Sequence, residues 1–472
     1  MIFPSQIFLF VFLPALLAFY YLAPRGYRNA VLLTFSYLFY LWGSGHFLFI
    51  LIAATFIDYI LGLAIDGGRE RRRLWWAVLS IALNLSILGY FKYSNFFIAE
   101  ANLALARLGF DSVGWTRVVL PIGISFFTFQ KITYIVDVYR GTRRAMKSFV
   151  DYALYVALFP QLIAGPIVRF HEISEQITSR RETLDGFYHG VLRFCWGLIK
   201  KVILANSCGE IADAVFGLNT GLLDTKMAWL GVLAYTLQIY FDFSAYSDMA
   251  IGLGHMFGFR LPENFNRPYS SISITDFWRR WHITLSNFFR DYLYIPLGGN
   301  RSGPVRTYFN LMTVFLLCGL WHGANWTFII WGIFHGGLLV TERLTGLRPT
   351  EGTNHLFARR ALTLFLVMVG WVFFRAGTVG QAFDMLSVMF SPVSREVPFD
   401  LAVVLNNRNL VFLIMASSVF LLPRDFPGLK LVVTGRGPAV ALAQALAMVV
   451  LVGYSVLLIV SGTYNPFIYF QF

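Results

Sequence analysis

Long apolar runs, separated by short polar breaks, dominate the chain. A helix needs about 20 mostly apolar residues to cross the hydrocarbon core of a bilayer. Several stretches have this length and composition or come close to it, and we predict membrane-spanning helices at Phe3–Ala23, Phe47–Ile65, Leu74–Phe91, Ala361–Phe374 and Val440–Val460. The pattern therefore predicts an all-α, polytopic membrane protein.

The middle of the chain is less regular. Phe149–Phe170 is apolar but contains two prolines and a glycine, which indicates a broken or re-entrant segment, and Lys200 and Lys201 interrupt the apolar run Leu192–Leu204. Gly252–Arg306 is too polar to face lipid, and non-helical backbone at membrane depth must be buried in protein or line a cavity. We expect this segment to enter the protein body from the cytoplasmic side. Further helices are predicted at Tyr308–Cys318, Trp326–Val340, Leu362–Phe374, Leu410–Leu422 and Val440–Val460.

The domain organisation predicted is a single membrane domain over residues 1–472. We find no internal repeat, low-complexity tract or linker that would indicate a second, soluble domain. Within it we distinguish N-terminal helices (1–150), a core that carries the sequence motifs (151–345), and C-terminal helices with an aromatic tail (346–472). We expect roughly ten to thirteen spans, with re-entrant or interfacial helices between them.

The composition excludes an ordinary soluble globule. Only 13% of the residues are charged, 57% are hydrophobic, and the mean hydropathy is +0.62. Soluble domains have about 25% charged residues, because their surface faces water. Much of the surface of this chain must therefore face lipid.

The net charge of +13 does not by itself indicate nucleic-acid binding. Lys and Arg collect in cytoplasmic loops of membrane proteins, and such clusters also suit anionic lipid head groups or a phosphate-bearing substrate. The basic segments Pro24–Asn29, Asp66–Arg73 and Arg140–Lys147 are predicted to be cytoplasmic, which places the N-terminus in the periplasm. Because no basic residue precedes Arg25, we interpret the first apolar run as a retained helix rather than a signal peptide.

His322 is the sharpest candidate for chemistry. It lies in Gly319–Trp326 between two apolar helices, and a low-dielectric site keeps an imidazole neutral and able to accept a proton. Helical spacing predicts Cys318, Asn325 and Trp326 near its face. A hydrogen-bonded structural histidine within a helix bundle is the alternative interpretation.

His282 is the second candidate, within Asp276–Ser286. If this segment is helical, Trp278 and His282 share a face, and Asp276 can pair with Arg280. One aromatic and one cationic side would suit an acyl or pantetheine chain flanked by phosphates, because arginine offers forked donors to phosphate. The alternative is an interfacial amphipathic helix.

Other ionisable residues carry weaker signals. Asp242 and Asp248 lie six residues apart in an apolar stretch, and either pair with neighbouring helices or line an aqueous tunnel. His335 points about 140° away from His322 on an ideal helix, which favours a packing or supporting role. Cys318 and His322 have the spacing of a nucleophile–base dyad, but a buried thiol is usually inert. No metal-ligand pattern, phosphate-binding glycine loop or serine nucleophile elbow is present.

Six motifs together resemble one family. They are Leu158–Val168 (LFPQLIAGPIV), Tyr240–Asp248 (YFDFSAYSD), Phe277–Ser286 (FWRRWHITLS), Arg290–Asn300 (RDYLYIPLGGN), Leu320–Trp326 (LWHGANW) and Asn465–Phe472 (NPFIYFQF). The motifs are similar to those of the membrane-bound O-acyltransferase (MBOAT) family, in its bacterial polysaccharide-acetylating branch, the AlgI type of alginate O-acetylation. The resemblance covers nearly the whole chain.

The resemblance implies that His322 is the essential intramembrane histidine, and that His282 occupies a second family position that holds histidine or asparagine. It also implies a central tunnel that brings an acyl donor from the cytoplasm. We expect tunnel or substrate roles for Trp278, Arg279, Arg280, Trp281, Trp321, Asn325, Asp242 and Asp248. In the expected reaction His322 deprotonates an acceptor hydroxyl, and Asn325 is a candidate donor to the developing oxyanion.

The resemblance further implies acetyl-CoA, or a related acetyl thioester, as the donor substrate and no bound cofactor. Acetyl is expected to cross the bacterial inner membrane to an exported polysaccharide, with alginate as the expected polymer and a periplasmic acyltransferase as partner. The other expected partner is membrane lipid, and not nucleic acid. The alternatives left open are D-alanyl, peptidoglycan or cellulose acyl transfer, and a transporter or flippase without catalysis.

Overall fold

The computed structural model describes residues 1–346, 356–423, 438–462, 464 and 466. Helices account for the regular secondary structure of these residues and no strand occurs among them, so the all-α prediction is confirmed. Two compact units are present: residues 1–190 with 253–262, and residues 191–252 with 263–472. Apart from Pro466, the tail predicted at Asn465–Phe472 lies outside the described residues. The extent of the catalytic domain stays a prediction.

The helices of the first 180 residues belong to the first unit. They are α1 (Leu13–Leu22), α2 (Arg28–Ser44), α3 (Phe47–Asp66), α4 (Glu70–Arg107), α5 (Ile124–Tyr139), α6 (Phe149–Ala157), α7 (Phe159–Leu162) and α8 (Phe170–Thr178). A π-helical stretch, Phe8–Phe12, leads into α1. The predicted break in Phe149–Phe170 is confirmed, since helix stops after Ala157 and Pro160 lies in the first turn of α7. The non-helical residues 163–168 are buried in protein.

The two basic segments Asp66–Arg73 and Arg140–Lys147 lie at the same end of the first unit. Arg73 at the start of α4 donates through Nη2 to the carbonyl oxygens of Val138 (3.2 Å) and Tyr139 (2.8 Å) at the end of α5. Their predicted location on one side of the membrane therefore agrees with the helix arrangement. Which side this is stays a prediction.

A buried polar cluster joins three helices of the first unit. Asp58 on α3 accepts hydrogen bonds from Ser80 and Asn84 on α4, and its Oδ2 lies 3.5 Å from Nζ of Lys131 on α5. All four side chains are almost completely buried. Intramembrane charges are tolerated when they are paired in this way, so the cluster joins α3, α4 and α5.

The remaining described helices run from residue 184 to residue 460. They are α9 (Leu184–Ile199), α10 (Asn206–Gly217), α11 (Thr225–Met256), α12 (Ile274–Arg280), α13 (Ile283–Phe289), α14 (Gly303–His322), α15 (Trp326–Leu344), α16 (Leu356–Arg375), α17 (Val379–Phe390), α18 (Phe399–Val404), α19 (Asn407–Ser417) and α20 (Pro438–Val460). Lys200–Ala205 forms a π-helix between α9 and α10, where the two lysines were predicted to interrupt a span.

Four of the described helices are both long and apolar enough to cross a membrane by length and composition. They are Phe47–Asp66, Glu70–Arg107, Leu356–Arg375 and the Leu442–Val460 part of α20. Four of the five clearest predicted spans fall on these helices. The fifth, Phe3–Ala23, is divided between the π-helical stretch and α1. The number of spans stays a prediction.

Helices α14 and α15 pack backbone to backbone through facing glycines. A Cβ atom on Gly319 would overlap the carbonyl oxygen of Phe328, and one on Gly332 would overlap that of Phe315. Small residues allow this close approach between helices in membranes. The contact sets the position of the last turn of α14, which ends at His322.

Replacing Gly332 with Ala is expected to lower the free energy of unfolding by about 1–3 kcal/mol, the usual cost of overpacking a well-packed contact. Gly337→Ala, on the same helix, is the matched control, because a Cβ there meets no atom within 4 Å. The stabilities of the two purified variants are compared by thermal unfolding in detergent. Equal stability of the two variants would contradict the close-contact interpretation.

Candidate active site

His322 is the last residue of α14 and is surrounded by aromatic rings. Its side chain is buried, with 3% of the residue exposed. The imidazole centroid lies 4.9 Å from that of Trp321, 5.1 Å from Trp331 on α15 and 5.0 Å from Phe374 on α16. The geometry thus places a buried imidazole where three elements meet within the second unit.

The predicted shared face around His322 is correct for one neighbour and wrong for two. Cys318 lies one turn earlier on α14, as expected. The helix ends at His322, however, because Gly323 adopts extended backbone, so Asn325 and Trp326 do not follow on the same helical face. Trp326 is 49% exposed.

Asn325 instead caps the next helix. Its Oδ1 accepts a hydrogen bond from the backbone N–H of Thr327 (3.1 Å), and its Nδ2 donates to the carbonyl oxygen of Gly377 (2.9 Å). Both ends of the amide are therefore used to begin α15 and to hold the chain after α16. Its expected role as an oxyanion donor stays a prediction.

His335 lies on α15, a different helix from His322, so the angle expected from one continuous helix does not apply. It is fully buried. Its ring centroid lies 5.0 Å from Trp331, which also contacts His322, and 5.2 Å from Trp278 on α12. These contacts agree with the supporting role expected for His335.

His282 lies between α12 and α13 and is fully buried. Its backbone is left-handed, with φ 43° and ψ 54°, which few residues other than glycine adopt. Since α12 ends at Arg280, the expected shared helical face of Trp278 and His282 is wrong. The Asp276–Arg280 pair is confirmed at 2.9 Å.

The surroundings of His282 keep it neutral and bring it close to the His322 cluster. Burial lowers the pKa of His282 to about 3, so its imidazole is uncharged at physiological pH. Its ring centroid lies 6.1 Å from that of Trp321, which also contacts His322. The structure therefore gathers His282, Trp321 and His322 into one aromatic cluster.

A cavity of about 850 Å³ adjoins this cluster. Trp278 and Cys318 line it, and so do three arginines from separate elements: Arg279, Arg290 and Arg343. Cys318 brings the cavity to within one helical turn of His322, although neither His322 nor His282 is among the residues that line it. A space with an aromatic wall and several guanidinium groups suits a long, phosphate-bearing ligand.

Of the eight residues expected in the tunnel, Trp278 and Arg279 line this cavity and the other six do not, Arg280 and Trp281 among them. The Arg280 guanidinium pairs with Asp276 and donates to the carbonyl oxygen of Asn266 (3.3 Å). Trp281 is 2% exposed, and its ring centroid lies 4.9 Å from that of Trp371. Both residues support the walls of the site in this arrangement.

Asp242 and Asp248 on α11 form ion pairs. Lys201 Nζ lies 2.8 Å from Oδ1 of Asp242. Asp248 receives both Lys200 and Arg193, the latter at 2.8 Å. Of the two interpretations left open for these carboxylates, the structure thus shows pairing with neighbouring helical segments, and their expected role in lining a tunnel stays a prediction.

The region that contains these features, residues 139–376, matches the model of the membrane-bound O-acyltransferase family. The chain belongs to that family. It is therefore an O-acyltransferase, and the matched residues include His282, His322 and the whole cavity lining.

Curated relatives of this O-acyltransferase extend over most of its length. The probable alginate O-acetylase AlgI of Azotobacter vinelandii is 51% identical over 83% of the chain and 78% of its own length. The protein of the same name from Pseudomonas putida is 45% identical over the full length of both chains. The peptidoglycan O-acetyltransferase of Helicobacter pylori is 37% identical over 82% of the chain and 80% of its own length. Acyl transfer to a polysaccharide is the activity that these relatives support.

Sequence reasoning missed several residues of the O-acyltransferase site. Arg290 was named only as part of the motif Arg290–Asn300, and Arg343 was not singled out, although both line the cavity. Lys200 and Lys201 were noted only as interruptions, and an apolar run with two adjacent lysines was a usable signal for buried carboxylate partners. Asn264, which contacts His282, has no comparable signal in its sequence context.

Proposed function

We propose that the enzyme moves acetyl from a cytoplasmic acetyl thioester, acetyl-CoA, to hydroxyl groups of an exported polysaccharide, alginate. The observation that carries the proposal is His322, buried one helical turn beyond an arginine-lined cavity. Relatives named for alginate O-acetylation match the chain at 45–51% identity, above the 37% of the peptidoglycan O-acetyltransferase. These identities favour alginate over the other polymers.

The cavity is proposed as the donor site. Arg279, Arg290 and Arg343 supply guanidinium groups for the phosphates of the donor, and Trp278 supplies an apolar wall for its pantetheine arm. Its volume of about 850 Å³ is within the range of small-molecule sites. The arm extends past Cys318, so that the thioester reaches the His322 end of α14.

In the proposed reaction His322 removes the proton from an acceptor hydroxyl. The resulting oxygen attacks the thioester carbonyl, the carbon–sulfur bond breaks, and the CoA thiolate takes up the proton that His322 removed. The surrounding rings of Trp321, Trp331 and Phe374 exclude water, which otherwise competes as an acceptor. His282, neutral and joined to this cluster through Trp321, is proposed as the second catalytic residue.

The proposed setting is the bacterial inner membrane, with the N-terminus in the periplasm. The grouping of two basic segments at one end of the first unit supports this orientation, because basic loops are retained in the cytoplasm. Acetyl then leaves on the opposite side, where a periplasmic acyltransferase is the proposed partner for delivery to the polymer.

Arg343→Gln is expected to raise KM for acetyl-CoA about 10- to 100-fold with little change in kcat, because a charge-assisted hydrogen bond contributes about 1.5–3 kcal/mol. The assay is transfer of labelled acetyl from acetyl-CoA to alginate oligosaccharides by the purified protein, together with its periplasmic partner. Arg306→Gln is the control, since Arg306 on α14 packs against Phe309 and does not line the cavity.

Two results would contradict separate parts of the proposal, the donor site and the acceptor polymer. An unchanged KM in Arg343→Gln would remove the cavity as the donor site. Absence of labelled alginate, with label appearing instead on peptidoglycan fragments, would replace the acceptor while leaving the acyltransferase chemistry in place.

A further inference from the structure

Asn264, in the loop between α11 and α12, is 1% exposed, and both ends of its side-chain amide have hydrogen-bond partners. Its Oδ1 lies within hydrogen-bond distance of three groups: Nδ1 of His282 (3.0 Å), the backbone N–H of Thr284 (3.3 Å) and the Thr284 hydroxyl (2.9 Å). Its Nδ2 donates to the hydroxyl of Ser247 (3.2 Å) on α11. The amide thus links α11 to the start of α13.

These contacts define the tautomer of His282. A backbone N–H can only donate, so the Asn264 atom that faces Thr284 must be the oxygen rather than the nitrogen. The same oxygen faces Nδ1 of His282, which therefore carries the ring proton. A neutral imidazole has one N–H, and so Nε2 holds the lone pair.

Nε2 of His282 has no hydrogen-bond partner among the residues that the structure describes, although the side chain is fully buried. Buried polar atoms are nearly always paired, and each exception calls for an explanation. The left-handed backbone of His282 is strained for a residue other than glycine, and such strain clusters at functional sites. The loop holds this conformation in part through the Ile283 N–H, which donates to the carbonyl oxygen of Asn264 (3.0 Å).

We propose that Asn264 is the positioning residue of His282: its Oδ1 fixes the Nδ1–H tautomer, so that Nε2 accepts a hydrogen bond from a reactant. The reactant group is an N–H or O–H, either an amide of the thioester donor or the hydroxyl of the acceptor. This inference rests on the proposed function, which makes His282 a catalytic residue.

The deciding variants are Asn264→Leu and Asn264→Asp, assayed for labelled acetyl transfer. Asn264→Leu removes the acceptor for Nδ1, and kcat/KM is expected to fall about 5- to 150-fold. This fall corresponds to a loss of about 1–3 kcal/mol of transition-state stabilisation, because His282 is no longer held in its orientation. Asn264→Asp retains an oxygen opposite Nδ1 and is expected to recover most of the activity at neutral and higher pH.

The pH profile separates positioning from a purely structural role. A carboxylate beside Nδ1 raises the pKa of His282. Protonated His282 has no lone pair on Nε2, so activity is lost as the pH falls through that pKa. The acidic limb of the Asn264→Asp profile is therefore expected at higher pH than in the wild type, a shift that a change in packing alone does not produce.

Ser247→Ala is the matched control. It removes the acceptor of the Asn264 Nδ2 donor and leaves the Oδ1 contacts in place, so kcat/KM is expected to stay within about twofold of the wild type. In Asn264→Leu, a rise in KM for acetyl-CoA would identify the donor amide as the group bound by Nε2, and a rise in KM for the oligosaccharide would identify the acceptor hydroxyl. Either result supports the proposal.

The failure of this inference is distinguishable from failure of the proposed function. If the wild type transfers acetyl and His282→Ala does not, the proposed function of His282 stands. Wild-type kcat/KM in Asn264→Leu, or superimposable pH profiles for Asn264→Asp and the wild type, would then overturn the role of Asn264 alone.

Discussion

Replacing His322 with Ala is expected to reduce acetyl transfer by at least about 10²- to 10⁴-fold, the usual contribution of a general base. The three rings that surround His322 in the cluster described above belong to Trp321, Trp331 and Phe374, and none of them can accept a proton. The measurement is label transferred from acetyl-CoA to the oligosaccharide, normalised to folded protein in detergent. Membrane insertion and yield are expected to match the wild type.

His335→Ala is the matched control for this variant. It deletes an equally buried imidazole that packs against the same Trp331 ring, so it reproduces the loss of packing without removing the proposed base. Its activity per folded molecule is expected within about tenfold of the wild type. Retained acetylation in His322→Ala, or an equal loss in both variants, would contradict the assignment of His322.

Lys201→Met is expected to lower the free energy of unfolding by about 3–5 kcal/mol, the cost of breaking a buried ion pair from one side. The Lys201 and Asp242 side chains are only 3% and 2% exposed. Removing the ammonium leaves the carboxylate in a medium that solvates charge poorly. Unfolding in detergent, followed by tryptophan fluorescence, measures the loss.

Lys200→Met provides a control on the adjacent residue. Its partner Asp248 also receives Arg193, so the loss is expected to be smaller than for Lys201→Met. The double variant Lys201→Met/Asp242→Leu is expected to regain most of the lost stability, because apolar replacement of a buried pair is often neutral. Equal losses for the two lysines, or a double variant less stable than Lys201→Met, would show that the pair does not set the stability here.

The spans could be predicted from the sequence because apolar runs are a local property. The end of α14 could also be predicted from the sequence, because Gly323 follows His322 and Asn325 is a favourable N-cap before an apolar helix. The expected shared face of His322, Asn325 and Trp326 assumed one continuous helix through these two residues. The spacing of Asp276 and Arg280 did predict their ion pair, since both lie within α12.

The finer geometry of the site depends on contacts between distant parts of the chain. The left-handed conformation of His282 is held by Asn264, 18 residues earlier. The cavity takes its arginines from three separate elements, and Lys201 meets Asp242 across two helical segments. No local pattern encodes such pairings in a single sequence, which is why the tunnel residues were predicted as a group and only some of them line the cavity.

The length of α4 exceeds the thickness of a bilayer. Its 38 residues include Trp75, which is 64% exposed near the basic end and belongs at the lipid–water boundary. From Trp75 to Arg107 the helix rises about 48 Å at 1.5 Å per residue. Even a lean of about 40°, near the upper limit for spanning helices, leaves about 37 Å along the bilayer normal against a hydrocarbon depth of about 30 Å. The C-terminal turns of α4 must therefore lie among the lipid head groups or in water, on the side of the membrane opposite the arginine-rich loops.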